Sequence, residues 1–253
     1  MSNDYRHSGG AYAADQYGVR PVAALSTAFL SQAFTWMFLG LLLSAFIAFL
    51  VQSGTTVTPN GVTGGLAETV LNLWLPLVIA EMVIGIGLQV AIRRINALMA
   101  LGLFFIYAAL NGLTFGVIVL AVEVNTGTAA TVFEAFISAA AMFGGAALYG
   151  AVTKRSLTNM FGYLAMATWG LFVAILLNLL LNNGVLDTVI SIAGVIIFTA
   201  LTASTVQRIA RGQFAAMTGS MEKASVLGAL LLYLEFVNIF LFLLRLFGGG
   251  GRR

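Results

Sequence analysis

Seven long apolar segments leave this chain few ways to fold. A helix that crosses a bilayer needs about 20 mostly apolar residues, and seven segments of the 253-residue chain reach that length. Their approximate bounds are Ala28–Val51, Val70–Ile92, Ala97–Val122, Thr131–Val152, Phe161–Leu181, Val185–Val206 and Ala224–Phe247. The apolar runs are continuous and lack the alternation of a membrane β-barrel. The sequence therefore predicts an all-α, polytopic membrane protein with seven transmembrane helices.

The composition agrees with a membrane protein and excludes other classes. Hydrophobic residues make up 60% of the chain, charged residues 8%, and the mean hydropathy is +1.00, whereas soluble domains are about 25% charged. The net charge of +3 comes from basic clusters between apolar runs, which indicates topology and not nucleic-acid binding. Cysteine is absent and the single histidine is His7. Because no nucleotide-binding, zinc or nucleophile-elbow motif occurs either, we expect no enzymatic activity and no resident cofactor.

Basic residues between the predicted spans indicate the orientation of the chain. Arg93 and Arg94, Lys154 and the segment from Arg208 to Lys223 all fall on the side of the N-terminal segment, and the opposite loops contain no Lys or Arg. The positive-inside rule then predicts a cytoplasmic N-terminus in the cell (inner or plasma) membrane. Seven spans put the C-terminus outside, whereas a re-entrant last segment would put it inside. The predicted regions are a polar cytoplasmic tail over 1–25, a membrane domain over 26–248 and a flexible tail over 249–253.

Small residues recur at four-residue spacing within the spans. The pairs are Gly40/Ser44, Gly112/Gly116 and Ala141/Gly145. This spacing puts small side chains on one helix face and allows close backbone approach in lipid, so we expect these pairs at helix contacts. Pro76 lies inside the second predicted span, where the missing backbone donor predicts a kink. An ordinary kinked helix and a gating hinge both remain open.

Ionisable side chains inside the spans are the candidate functional residues, because charge is costly in hydrocarbon. Glu81 lies near the middle of span two and Glu134 near the outer end of span four. Glu235 lies at the middle of span seven, where a carboxylate costs about 2.5–3.5 kcal/mol on insertion scales. It must therefore face the bundle interior, a partner or water, and a pH-dependent role is physically natural. The alternative is a structural carboxyl that is hydrogen-bonded to neighbouring helices.

Arg245, near the end of span seven, is the one base within a span and needs a partner. It follows Glu235 by ten residues, or about 15 Å along a helix, so these two side chains cannot pair. Glu81 is the candidate partner, in a structural or gating ion pair, although the two residues lie at different depths. Glu134 is expected to be interfacial and structural.

Two long and two short segments resemble the signatures of one membrane family. The long segments are GALLLYLEFVNIFLFLLRLFG (Gly228–Gly248) and LYGAVTKRSLTNMFGYLAMATWG (Leu148–Gly170). The short segments, less specific alone, are TWMFLGLLLSA (Thr35–Ala45) and LNGLTFGVI (Leu110–Ile118). Together they resemble the Bax inhibitor-1 family, also called the transmembrane Bax inhibitor motif family, in a bacterial form. The resemblance implies seven helices, with the seventh central to two three-helix layers.

The resemblance also implies a function and a set of site residues. Characterised prokaryotic members are pH-sensitive calcium leak pathways that depend on one acid in span six and one in span seven. The span-seven acid matches Glu235, whereas the span-six position, within TASTVQ, holds Thr205. A family acid in span two and a base near the end of span seven match Glu81 and Arg245. We therefore expect a pH-sensitive calcium (cation) leak channel that binds Ca²⁺ transiently, with Glu235 as gate or ligand.

Thr205 is the departure from the family pattern that matters most. Two adjacent carboxylates share a proton and titrate as a coupled pair, which a carboxyl and a hydroxyl cannot do. Calcium also prefers six to eight oxygen ligands, with carboxylates prominent. We therefore predict a shallower pH response and a weaker calcium selectivity than in members with both acids.

Two other functions remain open at this point. The main alternative is a non-conducting membrane regulator that binds a membrane-anchored AAA protease or other membrane proteins, as the resemblance also implies. A proton-coupled transporter of small molecules is less supported, because paired polar groups are scarce within the spans. The expected partners are the lipid bilayer and Ca²⁺ or other cations, with no nucleic acid.

Overall fold

The computed structural model describes residues 22–58 and 61–249, which form nine helices and one short hairpin. The helices are α1 (Val22–Gln52), α2 (Gly65–Asn72), α3 (Trp74–Ala91), α4 (Ala97–Thr126), α5 (Ala130–Val152), α6 (Thr158–Leu181), α7 (Gly184–Ala210), α8 (Gln213–Thr218) and α9 (Met221–Gly249). The hairpin pairs β1 (Thr56–Thr58) with β2 (Gly61–Thr63) in antiparallel register. Residues 1–21 of the predicted N-terminal tail and residues 250–253 of the predicted C-terminal tail lie outside the described residues.

Seven helices in the described part of the chain are long and apolar enough to cross a membrane. They are α1 from Ala28 onward, α3, α4, α5, α6, α7 and α9. This confirms the predicted all-α fold with seven spans. Several helices run three or four residues beyond their predicted ends, because turns of mixed polarity continue the helix past the apolar segment.

The second predicted span is divided into two helices. The chain leaves helical geometry at Leu73, so that α2 and α3 are separate. Pro76 lies in the first turn of α3, where a backbone N–H has no partner within the helix and its loss costs little. The predicted kink inside a continuous span is therefore wrong: the helix breaks before the proline.

Polar and glycine residues mark other helix ends. The side chain of Asn96 accepts a hydrogen bond from the Met99 amide at 2.7 Å and begins α4. Asn183 caps α7 in the same way. Gly127 and Asn182 end α4 and α6 in the left-handed conformation, in which glycine and asparagine are tolerated best. These caps explain how short loops connect adjacent spans.

Helix α9 lies at the centre of the bundle. On one side α1 and α3 pack against α4, and on the other α5 and α6 pack against α7. α9 packs against α1, α4, α5 and α7, and its side chains include fully buried Leu230, Leu232, Tyr233 and Ile239. This arrangement confirms the central seventh helix between two groups of three that the resemblance implied.

Two of the three small-residue pairs lie at close helix contacts. A Cβ on Gly112 would come 2.8 Å from the Ser44 carbonyl oxygen, and one on Gly116 would come 2.6 Å from Val51. These glycines therefore allow α1 and α4 to approach each other closely. The pair Ala141/Gly145 is instead exposed on the outside of α5, with nothing near Gly145. That prediction was wrong because spacing alone does not tell a packed helix face from a lipid-facing one.

A further glycine on α5 makes the close contact that Ala141/Gly145 was expected to make. A side chain on Gly150 would overlap the backbone carbonyl of Ala203 on α7. The α5–α7 contact therefore lies at the end of α5, one turn beyond the predicted pair.

The basic residues between spans come together at one end of the bundle, hereafter the basic end. The Lys223 ammonium donates to the Arg93 carbonyl at 3.4 Å, and Arg211 donates to the Ser156 hydroxyl at 3.3 Å. Buried Gln207 joins the loop before α6 to α7, since it donates to the Arg155 carbonyl at 2.7 Å. The other end carries the carboxyl groups of Glu68, Glu123, Glu134 and Asp187 together with Arg245.

Candidate functional site around Glu235

The carboxyl group of Glu235 is buried in the middle of the bundle. Only 5% of the residue is exposed, and it points from α9 towards α7. The Thr205 hydroxyl donates a hydrogen bond to Oε1 at 2.5 Å. The second oxygen, Oε2, is buried and has no hydrogen-bond partner among the described residues. Thr205 and Glu235, the two positions that the family resemblance groups, are therefore in contact.

A cavity of about 370 Å³, hereafter the Glu235 groove, has Glu235 in its lining. It lies between α3 and α6, and α7 and α9 form its floor. Its lining residues are Met82, Ile86, Gln89, Phe161, Ala165, Thr168, Trp169, Phe172, Phe198, Leu201, Leu231, Leu234 and Glu235. Most of these residues are apolar. Glu235 is the one ionisable residue among them. The groove occupies the half of the bundle towards the basic end, because it follows the C-terminal half of α3 and the N-terminal half of α6.

Arg208 lies where the Glu235 groove approaches the basic end. Its guanidinium carbon is 4.0 Å from the centre of the Phe161 ring, which lines the groove, and 4.7 Å from that of Phe214. Nε also donates to Gln213 at 3.3 Å. Arg208 is one turn from Thr205 on α7, and its charge interacts electrostatically with Glu235. A fixed positive charge therefore stands between the basic end and the buried carboxyl group.

Aromatic side chains close the groove beyond Glu235. Phe198 on α7 lines the groove and packs against Phe242 on α9, with ring centres 5.9 Å apart. Gly194 makes room for the Phe242 ring, since a Cβ there would come 2.5 Å from it. Phe242 lies about two turns beyond Glu235 on α9, so this contact lies on the side of Glu235 away from the basic end.

Glu81 belongs to a different polar cluster. It lies half-buried on α3 and accepts a hydrogen bond from the Thr114 hydroxyl on α4 at 3.0 Å. Thr114 also donates to the Asn111 carbonyl at 2.9 Å, and Asn111 donates to the Tyr107 carbonyl at 3.0 Å. Glu81 is thus tied to α4 and not to α9.

The predicted ion pair between Glu81 and Arg245 is not formed in this structure. Arg245 Nη1 lies 3.3 Å from Asp187 Oδ1, and both side chains are partly exposed, by 42% and 37%. Asn178 Nδ2 donates to the same Oδ1 at 3.3 Å. Depth explains the difference, because Asp187 in the first turn of α7 lies at the same end as Arg245, whereas Glu81 lies nearer the middle. Asp187 lies within predicted span six but was not considered as a partner of Arg245, because the family resemblance pointed to Glu81.

Glu134 lies in the second turn of α5 and is exposed. Its position agrees with the predicted location near the outer end of span four. It contributes nothing to the wall of the Glu235 groove.

Comparisons with known proteins decide the family. Residues 26–252 match the family described as Inhibitor of apoptosis-promoting Bax1. The chain belongs to the Bax inhibitor-1 family. It is 37% identical to the inner membrane protein YbhL of Escherichia coli over 91% of this chain and 94% of YbhL. An uncharacterized protein of Deinococcus radiodurans is 37% identical over 86% of this chain and 89% of its own length, and the protein YrjE of Lactococcus lactis is 36% identical over 89% and 93%.

This Bax inhibitor-1 family chain is therefore a multi-pass membrane protein. Its seven apolar helices, its family and its likeness to a named inner membrane protein all agree on this point. The lipid bilayer is consequently the solvent for the exposed apolar faces of α3, α5 and α6. Burial of Glu235 then distinguishes it from the other acids of the described ranges, which are half-buried or exposed.

Few side chains near Glu235 could act as ligands of a cation. No group of three or more His, Cys, Asp or Glu side chains comes together in the described ranges. The polar groups there are the Glu235 carboxyl group, the Thr205 hydroxyl bonded to it, and the groove-lining side chains of Gln89 and Thr168. Because calcium needs six to eight oxygen ligands, these few side chains do not by themselves make a tight calcium site.

Proposed function

We propose that this chain is a pH-sensitive calcium (cation) leak channel of the cell membrane, with its N-terminus in the cytoplasm and Glu235 as its gate and transient ligand. The observation that carries the proposal is the buried carboxyl group of Glu235, which has one oxygen without a protein partner and lies in the wall of a groove. Ionisable groups inside membrane domains mark ion or proton pathways by default.

The hydrogen bond from Thr205 supports a single-carboxyl site. Thr205 occupies one oxygen of Glu235 and leaves the other for a cation or a proton. A hydroxyl does not titrate in this pH range and cannot share a proton as a second carboxyl would. We therefore expect one protonation event at the site, and a pH response less steep than that of a coupled pair.

The aromatic contact between Phe198 and Phe242 supports a closed conformation. It lies directly beyond Glu235 and fills the space between α7 and α9. Permeation then requires a change at this contact or at the groove walls. The two walls are loosely held, since α3 packs mainly against α4 and α6 packs mainly against α7. Movement of either wall disturbs less packing than movement of α7 or α9 would.

The test is calcium flux into proteoliposomes that contain a calcium-sensitive dye, measured from about pH 6 to about pH 8. The purified full chain is compared with E235Q, which keeps the shape and hydrogen-bond capacity of the side chain but cannot ionise. We expect the wild type to carry calcium and E235Q to lose most of the pH dependence. E134Q is the matched control, because Glu134 is an exposed acid outside the groove, and its flux should equal that of the wild type.

A second variant, T205D, tests the single-carboxyl site from the other direction. It adds a carboxyl group next to Glu235 Oε1, so we expect a steeper pH response and a higher preference for calcium over monovalent cations. Equal pH profiles for the wild type, E235Q and T205D would contradict the role given to Glu235. Flux that does not exceed that of empty liposomes in any variant would contradict the leak itself.

A non-conducting regulator is the second candidate function. Its support is the outer face of α6, where Tyr163, Met166 and Trp169 are exposed by 75%, 73% and 69% and could contact another membrane protein, such as a membrane-anchored AAA protease. Wild-type proteoliposomes without flux, together with loss of copurification of such a protease on Met166→Ala, would favour the regulator, because Met166 is exposed and does not line the groove. Flux that depends on Glu235 would favour the channel.

A further inference from the structure

A second cavity, hereafter the apolar groove, lies on the other side of α9. It has a volume of about 390 Å³ and runs between α1 and α5, with α9 as its floor and α4 at its back. Its lining residues are Leu41, Ser44, Ala45, Ala48, Phe49, Gln52, Phe115, Val119, Glu123, Ala129, Val132, Phe133, Phe136, Phe236, Val237 and Phe240. Small side chains on α1 and aromatic rings on α5 leave the groove accessible to lipid, since Ala45, Phe133 and Phe136 are exposed.

The length of the apolar groove matches the depth of one leaflet. Its α1 wall runs from Leu41 to Gln52, which corresponds to about 16 Å along a helix. Half of the hydrocarbon core of a bilayer is about 15 Å thick. Leu41 lies near the middle of α1 and Gln52 is its last residue, so the groove extends from the bilayer centre to one interface. An extended hydrocarbon chain fits this shape.

Polar side chains of the groove are concentrated at the interfacial end. Glu123 on α4 and Gln52 on α1 line this end, and neither side chain makes a hydrogen bond or an ion pair with the described residues. Ser44 lies at the inner end, where its hydroxyl is already bonded to Tyr233 and to the Ala108 carbonyl, both at 2.7 Å. Within the described ranges Arg245 is the one base at this end of the bundle, and it pairs with Asp187. Among the described residues, no base therefore compensates the Glu123 side chain at the mouth of the groove.

We propose that the apolar groove binds one hydrocarbon chain of a phospholipid whose headgroup carries a primary amine, with the ammonium group on the Glu123 carboxylate. An ammonium N–H can form a charge-assisted hydrogen bond with a carboxylate. A choline headgroup has no N–H to donate, and an anionic headgroup would be repelled by Glu123. Charge complementarity thus selects the headgroup, and the length and apolar lining select the chain. This inference does not depend on ion conduction.

The test is lipid retention by the purified full chain. Delipidated protein is mixed with vesicles that contain equal amounts of phosphatidylethanolamine and phosphatidylcholine with identical acyl chains, and bound lipid is counted by native mass spectrometry. We expect the wild type to retain one phosphatidylethanolamine per chain with a severalfold preference. E123Q should retain lipid without that preference, and E134Q, whose exposed acid lies outside the groove, should match the wild type.

A substitution that fills the groove tests its apolar part independently of its charged end. Ala45→Phe puts a ring into the groove from an exposed position and should abolish retention of either lipid, whereas Ala140→Phe, an exposed position on α5 outside the groove, should leave retention unchanged. Equal retention of the two lipids by the wild type, or an unchanged preference in E123Q, would overturn the headgroup assignment. Undiminished lipid retention in a correctly folded A45F, or a dimer without lipid in the wild type, would overturn the groove as the binding site.

Discussion

The two grooves on either side of α9 differ in chemistry although adjacent residues of one helix line them. Glu235 lines the groove towards the basic end, and Phe236 lines the apolar groove towards the opposite end. Successive side chains on an α-helix point about 100° apart, so a single step along α9 turns from a carboxyl group to an aromatic ring. The central helix therefore separates a candidate ion site from a candidate lipid site by the direction in which adjacent side chains point.

The buried polar groups beside the two grooves also differ in whether all of their hydrogen-bonding atoms have partners. Glu235 is bonded by one hydroxyl and keeps a free oxygen, whereas the Tyr233 hydroxyl, two residues earlier on α9, is bonded to Ser44 on α1. A buried group whose bonds are complete stabilises packing. One that keeps a free acceptor is available to a cation or a proton.

The largest expected effect comes from breaking the contact between α5, a wall of the apolar groove, and α7, part of the floor of the Glu235 groove. Gly150 on α5 approaches the Ala203 backbone on α7, and backbone cannot move aside for a new side chain. Gly150→Leu should therefore destabilise the fold by about 3 kcal/mol or more, at the upper end of the overpacking range. Thermal unfolding in detergent, followed by size-exclusion chromatography, measures the loss.

Gly145 supplies the matched control for that substitution. It lies on the same helix, is exposed and has nothing within contact distance. Gly145→Leu should be neutral or slightly stabilising, because leucine has the better helix propensity by under about 1 kcal/mol. Equal destabilisation by the two variants would show that the α5–α7 approach is not what matters.

An intermediate effect is expected when the closure beyond Glu235 is weakened. Phe198→Leu shrinks the ring that packs against Phe242 and lines the Glu235 groove. We expect calcium flux in proteoliposomes to rise severalfold, because the barrier between the groove and the opposite end becomes thinner. Phe240→Leu makes the same change in the floor of the apolar groove and should leave flux unchanged. A rise in both variants, or in neither, would remove the functional difference between the grooves.

The smallest expected effect concerns the inner end of the apolar groove. Tyr233→Phe removes the hydroxyl bonded to Ser44 at 2.7 Å, while Ser44 keeps the Ala108 carbonyl as a partner. We expect a loss of about 1 kcal/mol of unfolding free energy, the usual net value of such a bond. Urea or thermal unfolding in detergent measures it, with exposed Tyr163→Phe as the control. A loss as small as that of the control would show that this bond adds no stability.

The sequence predicted the parts of this fold that depend on length and composition. The seven spans follow from apolar runs that must hydrogen-bond internally in lipid. The grouping of Thr205 with Glu235 followed from the family resemblance alone. The first prediction does not depend on helix rotation, and the second takes the relative rotation of the two helices from the family pattern.

What the sequence could not predict depends on rotation and depth. Lipid and helix interiors are equally apolar, so no hydropathy pattern shows that Ala141/Gly145 faces outward while Gly150 faces α7. The predicted partner of Arg245 was Glu81, which the family resemblance suggested, whereas in the structure Arg245 pairs with Asp187 at its own depth. The two grooves are gaps between non-adjacent helices, which no local pattern records.

The break at Leu73 gives the bundle unequal hydrophobic heights. Helix α3 has 18 residues and α4 has 30, which correspond to about 27 Å and about 45 Å. The first is shorter than the hydrocarbon core of about 30 Å, and a bilayer thins beside a short segment. The membrane should therefore be thinnest along α3, so that lipid headgroups and water come nearest to the middle of the bundle on the flank where its buried acid lies.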